Sequence, residues 1–180
     1  EQLYEKEPKL KGVPVLLGEL SDEQLREFDI AVLSPGVPTD LPVVDRMRAM
    51  NVAISGEIEL AYSFAKGKLA AITGTNGKTT TTALTGEIMK SYFEDVRVVG
   101  NIGIPYTNEA ATMTEDTVTV AEISSFQLET IHDFHPNVSA ILNITPDHLN
   151  RHHTMDCYIK TKENITKNQT KDEVCVLNYE

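Results

Sequence analysis

Cysteine is nearly missing from this chain: Cys157 and Cys175 are the two in 180 residues, and no CxxC spacing links them. A disulfide framework is therefore excluded, and free thiols in a reducing compartment are expected. Basic charge is scarce too, with 16 Lys and Arg against 27 Asp and Glu and a formal charge of −11. The deficit is spread evenly, 7 basic against 12 acidic residues in 1–66 and 9 against 15 in 67–180. Neither half offers the basic footprint that nucleic acid requires. An anionic ligand would have to be held by local devices, such as backbone N–H groups, single lysines or a bound cation, against an unfavourable overall field. No apolar run approaches the ~20 residues of a membrane span and no secretory segment is visible, so a cytoplasmic location is expected.

What is present is ordinary globular chemistry, 41% hydrophobic and 24% charged. Apolar runs of strand length recur at 13–17, 29–34, 52–55, 68–73, 96–100, 117–123, 138–145 and 173–178, with helical stretches between them. Several lack strict alternation, as strands covered on both faces do. Strand alternating with helix predicts parallel α/β layers. Ser21 followed three residues later by Gln24 predicts a capping box; further helices are expected over "LPVVDRMRAM" and "GEIELAYSFAKG", the second ending at Gly67. We place a boundary at 66/67: three strands of a small α/β unit upstream, five strands headed by a glycine-rich loop downstream. Glu1 in place of an initiating Met, and a strand at the very end, suggest part of a longer chain.

The loop is the sharpest signal. "KLAAIT", then "GTNGKTT", then a helical pattern is the arrangement in which backbone N–H groups and a helix N-terminus surround phosphate oxygens. Gly74 and Gly77 allow sharp turning and close approach, Lys78 reaches outer phosphates, and Thr79 offers a hydroxyl to Mg²⁺. The match to G-x-x-x-x-G-K-[ST] is not strict, because Ile72 stands five residues before Gly77. A solvated strand-to-helix turn is the plainer reading. Four consecutive threonines, Thr79 to Thr82, are poor helix formers and call for another explanation. Glu122, at the carboxyl end of "TVTVAEI", stands where ligands collect on open α/β sheets; an exposed strand-end acid is the alternative.

"GTNGKTTTT" resembles the nucleotide loop of the Mur ligases. "AEISSFQLE" (121–129), "NIGIP" (101–105), "LNITPDHLNRH" (142–152) and "YIKTKENI" (158–165) resemble further blocks of the family member that joins D-glutamate to UDP-N-acetylmuramoyl-L-alanine. "LSPGVP" (33–38) and "ISGEIELAY" (54–62) resemble the end of its first domain, so the resemblance covers essentially the whole chain. It implies a partial Rossmann-like UDP-binding unit in 1–66, the first part of a parallel-sheet P-loop ATPase domain in 67–180, and no C-terminal ligase domain. The implied reaction is ATP-dependent: a substrate carboxylate takes the γ-phosphate to give an acyl phosphate, and an amine displaces phosphate to make an amide in peptidoglycan precursor synthesis.

On that resemblance the nucleotide is held by Gly74, Thr75, Asn76, Gly77, Lys78, Thr79 and Thr80. Lys78, Glu122, His148 and Lys162 serve catalysis, and Thr79, Glu122, His148 and a carbamylated Lys162 hold two Mg²⁺ ions. Gly36, Asn101, Ser124 and Gln127 contact substrate. Each has an ordinary alternative: a turn for Gly36 and Asn101, a helix cap for Ser124 and Gln127, a solvated lysine for Lys162, a hydrogen-bonded histidine for His148. His152 and His153 suggest a zinc pair, which we reject because adjacent histidines on a polar stretch face solvent. Asn150 and His153 depart from the family, which has an acid and a glycine at those places. The partners implied are UDP-N-acetylmuramoyl-L-alanine and D-glutamate, acted on by a monomer when full length. By itself this chain is expected to be inactive. A sister ligase of the folylpolyglutamate synthase type, a truncated nucleotide-binding module and a generic P-loop kinase or GTPase are the competing readings; "SSFQLE" separates the first.

Overall fold

The structure, a computed structural model, describes residues 8–179. A small parallel pair, β1 (Ile30–Leu33) and β2 (Ala53–Gly56), precedes an all-parallel five-stranded sheet. The sheet's strands are β3 (Lys68–Thr73), β4 (Val96–Gly100), β5 (Val118–Glu122), β6 (Val138–Ile141) and β7 (Val174–Leu177), in spatial order β4-β5-β3-β6-β7. Around them lie α1 (Asp22–Leu25), α2 (Pro42–Ala49), α3 (Glu57–Phe64), α4 (Lys78–Lys90), α5 (Tyr106–Ala110), α6 (Ser125–Leu128), α7 (Leu149–His152) and α8 (Met155–Glu163). The parallel α/β architecture is as the strand-helix alternation implies.

Burial explains why the apolar runs fail to alternate. All five residues of β5 are buried, whereas β7 at one edge is exposed throughout. One core gathers Leu69, Ala71, Val99, Ala121, Ile123, Leu128, Phe134 and Ile141. Ile58 and Ala61 of α3 pack into this same core, so the helix that follows β2 leans on the larger sheet. A smaller cluster of Leu25, Met47 and Val52 serves β1 and β2.

Local chemistry sets the helix ends. Ser21 and Gln24 form the expected capping box, though the helix it starts runs only four residues. α2 begins with Pro42 at its first position, where no N–H is needed. α3 ends at Phe64, three residues before the expected Gly67. Glycine inside α4 has a packing reason: a Cβ on Gly86 would stand 2.4 Å from Val98 Cγ2.

One expected strand does not form. Residues 13–17 form no strand among the described residues and are exposed, Leu17 at 90%. Pro14 removes a donor within the run, and β1 and β2 pair only with each other among the described strands. Among the described residues the unit upstream of residue 67 therefore shows two strands, not three.

Candidate nucleotide-binding site

The carboxyl ends of β3, β5 and β6 lie on one side of the parallel sheet, and the loops leaving them build the site. After β3 the chain turns through Gly74 (φ 152°) and Gly77 (φ 81°), and Gly77 caps α4 in the left-handed region that suits glycine. A Cβ on Gly74 would come within 3.1 Å of Leu142 Cβ. The segment after β6 brackets this loop. Thr75 N donates to Asn143 O (2.9 Å) and Asn76 N to Asn143 Oδ1 (2.9 Å), while Asn143 Nδ2 returns a bond to Asn76 O (2.9 Å). Thr145 N donates to Thr75 Oγ1 at 3.0 Å. The N–H groups of Lys78, Thr79 and Thr80 sit at the start of α4, where helix geometry supplies no acceptor. Lys78 Nζ donates to Thr75 O (2.9 Å), across the loop itself.

Glu122 faces the loop from β5 at 2% exposure. Thr79 Oγ1 donates to its Oε2 and Asn101 Nδ2 to its Oε1, each at 2.8 Å. The backbone locks the same contact, Asn101 N donating to Glu122 O at 2.8 Å. Both carboxylate oxygens thus bond to neutral donors, and a buried charge held this way invites a cation. One carboxylate beside one hydroxyl is a hard oxygen set that fits Mg²⁺, which keeps waters and phosphate oxygens as its other ligands. Among the described residues no group of three or more His, Cys, Asp or Glu side chains forms a protein metal cage.

Lys162 approaches from α8 and is 1% exposed. Its Nζ donates to Gly74 O (2.8 Å) and reaches Thr73 Oγ1 at 3.5 Å, and it lies 4.8 Å from the Tyr158 ring centroid. Burial, then the nearby charge of Lys78, lowers its pKa from 10.5 to about 8, against an opposing pull from Asp147. The solvated-lysine alternative is thereby overturned.

Of the remaining expected residues, Ser124 and Gln127 form a reciprocal capping box on α6, and Gln127 Nε2 reaches Glu57 Oε2 at 3.4 Å. Thr80 is exposed, and Gly36 lies exposed in the turn after β1 with open space around it. His148 caps α7 with φ 52°, half-exposed, its Nε2 3.4 Å from Asp147 Oδ2 and its ring 4.9 Å from that of Phe126. Of the four threonines, Thr79 alone has a polar partner in the site; Thr82 Oγ1 is buried without one, which nothing in the structure explains.

His152 corrects the sequence expectation: it is 2% exposed, not solvent-facing, with Nε2 2.9 Å from Ser125 Oγ. Burial lowers its pKa, which keeps the imidazole a neutral hydrogen-bond partner. His153 does face solvent. Asn143 and Tyr158 are the residues sequence reasoning missed. Asn143 lies just past the end of β6, as Glu122 ends β5, and Tyr158 lies four residues before Lys162 on one helix face; its hydroxyl is 3.1 Å from Thr75 Oγ1. A cavity of about 820 Å³ opens beside β6 and β7, and Asn143, which clasps the loop, is among its lining residues.

The model of the Mur ligase middle domain matches residues 72–180. The chain is 62% identical over all 180 residues to the "UDP-N-acetylmuramoylalanine--D-glutamate ligase" of Lachnoclostridium phytofermentans, and 53% identical over 159 residues, 88% of the chain, to that of Clostridioides difficile. It spans 40% and 35% of the lengths of these two curated relatives. Among solved structures, MurC of Thermotoga maritima aligns over 81% of this chain and 34% of its own, with TM-score 0.51 and 28% identity. MurF of the same organism, in complex with ADP, aligns over 90% and 45% with TM-score 0.51; at 18% identity it speaks for the fold alone. With the loop, the strand-end glutamate and the family model all falling in the same stretch, the chain belongs to the Mur ligase family.

Proposed function

We propose that this chain is part of an ATP-dependent ligase that joins D-glutamate to UDP-N-acetylmuramoyl-L-alanine through an acyl phosphate, in the cytoplasmic synthesis of peptidoglycan precursor by a monomeric enzyme. The observation that carries the reading is the Gly74–Thr79 loop closed onto buried Glu122 by the Thr79 hydroxyl, in a chain whose 62% identical relative bears that name. Phosphoryl transfer of this kind depends on positioning and charge stabilisation. Lys78 and the free N–H groups of α4 serve the phosphate oxygens. Thr79 and Glu122 would hold Mg²⁺, which would supply charge neutralisation for the phosphoryl group. His148 and Lys162 are proposed for a second ion; the lowered pKa of Lys162 enriches the neutral amine that carbamylation by CO₂ consumes. Asn101, Ser124 and Gln127 line the substrate side, and Gly36 lends its backbone to the uridine diphosphate.

The test is phosphate release by the full-length protein with ATP, UDP-N-acetylmuramoyl-L-alanine and one amino acid at a time. D-Glutamate should be preferred by about tenfold or more in kcat/KM. Preference for another amino acid would sink this assignment in favour of a sister ligase.

A further inference from the structure

Glu129 and Arg151 are largely buried, each about an eighth exposed at the side chain, and the phosphate site uses neither. Arg151 grips Glu129 with two nitrogens, Nε to Oε1 at 3.1 Å and Nη2 to Oε2 at 2.6 Å. The same Nη2 donates to Val37 O at 3.0 Å, and Thr39 Oγ1 donates to Glu129 Oε2 at 3.2 Å. Arg48 Nη1 holds the Thr39 carbonyl from the other side at 2.7 Å. The turn that carries Gly36 is thus tied to α6 and α7 by one ion pair. Arg151 also lies 5.1 Å above the Phe126 ring, against which His148 packs. On its far side the pair meets His152, whose Nδ1 is 3.7 Å from Glu129 Oε1 and whose ring is 5.0 Å from that of Tyr158, the residue bonded to Thr75 of the loop.

We infer that Glu129 and Arg151 are positioning residues that latch the 34–39 turn onto the segment carrying His148, and so set the uridine-nucleotide substrate against the phosphate loop. The substrate half of this inference rests on the function proposed above. A planar guanidinium suits the task because it bonds the carboxylate as a fork while its remaining N–H reaches a carbonyl, which a lysine cannot do.

In the full-length protein, Arg151→Ala should raise KM for the uridine nucleotide about tenfold while KM for ATP stays within about threefold. Arg151→Lys should fall between. Thr39→Val, which removes one hydrogen bond at a turn, should raise that KM by about two- to fivefold with a melting temperature within about 2 °C of wild type. Hydrogen exchange supplies a readout independent of turnover: amides of 34–40 should exchange about tenfold faster in Arg151→Ala. Unchanged exchange of 34–40, or equal rises in both KM values, would overturn the latch even if the variant melts earlier. If the wild-type protein does not turn over the uridine nucleotide, the proposed function fails, and the exchange result alone decides whether the turn is latched.

Discussion

His153 occupies a conformation that favours glycine. Its φ of 64° and ψ of −45°, with Thr154 N bonded to His152 O at 2.7 Å, make a γ-turn of the rare positive-φ kind between α7 and α8. A histidine at this position keeps the turn and bears its strain. His153→Gly should stabilise the protein by roughly 0.5–1 kcal/mol, the relieved strain less the added freedom of the unfolded chain, with the exposed contact to Asp40 contributing little. Urea unfolding of both proteins checks it; a loss of stability would show that the Asp40 contact outweighs the strain. Lys162 makes a second prediction. Its folded pKa of about 8 lies below the unfolded 10.5, so between these values the unfolded chain binds more protons. Its burial therefore costs stability below about pH 8, and the cost fades as pH rises towards 10.5. Relative to Lys162→Met, the wild type should gain melting temperature between pH 8 and 10.5; a parallel pair of pH curves would refute the lowered pKa. Sequence shows the lysine but not its burial, because helical spacing alone cannot say that α8 lays this face over the loop.

At the scale of elements, short polar contacts do what length cannot. α6 has four residues, too few to persist by propensity, and stands because Ser124 and Gln127 cap it and Leu128 enters the core. The signature is the same S-x-x-Q that marks α1, so it was as legible at 124–127 as at 21–24. Glu59 of α3 was not legible. Its carboxylate accepts the N–H groups of His132 (2.9 Å), Asp133 (2.7 Å) and Phe134 (3.1 Å), pinning the loop between α6 and β6 onto the helix. Glu59→Gln replaces one acceptor oxygen with a donor facing N–H groups of which only that of Phe134 is fully buried, and should cost about 1–3 kcal/mol in urea unfolding. A loss under about 1 kcal/mol would mean that water satisfies that loop. The run at 13–17 shows the converse: apolar residues alone do not make a strand, and Pro14 takes a donor out of any ladder there.

For the whole molecule, the sheet order places β3 between β5 and β6, so that the loop leaving β3 is flanked by Glu122 on one side and Asn143 on the other. This is the place where open parallel sheets bind ligands. Mg-ATP binding by the whole protein should fall by about tenfold or more in Lys78→Ala, measured by calorimetry; equal affinity would put the nucleotide elsewhere. Among the described strands β7 stands at one edge of the sheet, with Val174, Val176 and Leu177 more than half exposed.

The glycine-rich loop, the parallel α/β class, seven of the eight strands and the strand-end position of Glu122 follow from the amino-acid sequence, because backbone freedom, capping and apolar periodicity act over a few residues. The Asn143 clasp, the burial of Lys162 and His152, and the Glu129–Arg151 tie to the 34–39 turn were decided by the tertiary structure alone. Each joins residues from 22 to 114 positions apart, and only the pairing of β3 with β6 and the mutual packing of α6, α7 and α8 bring such partners within a hydrogen bond's reach.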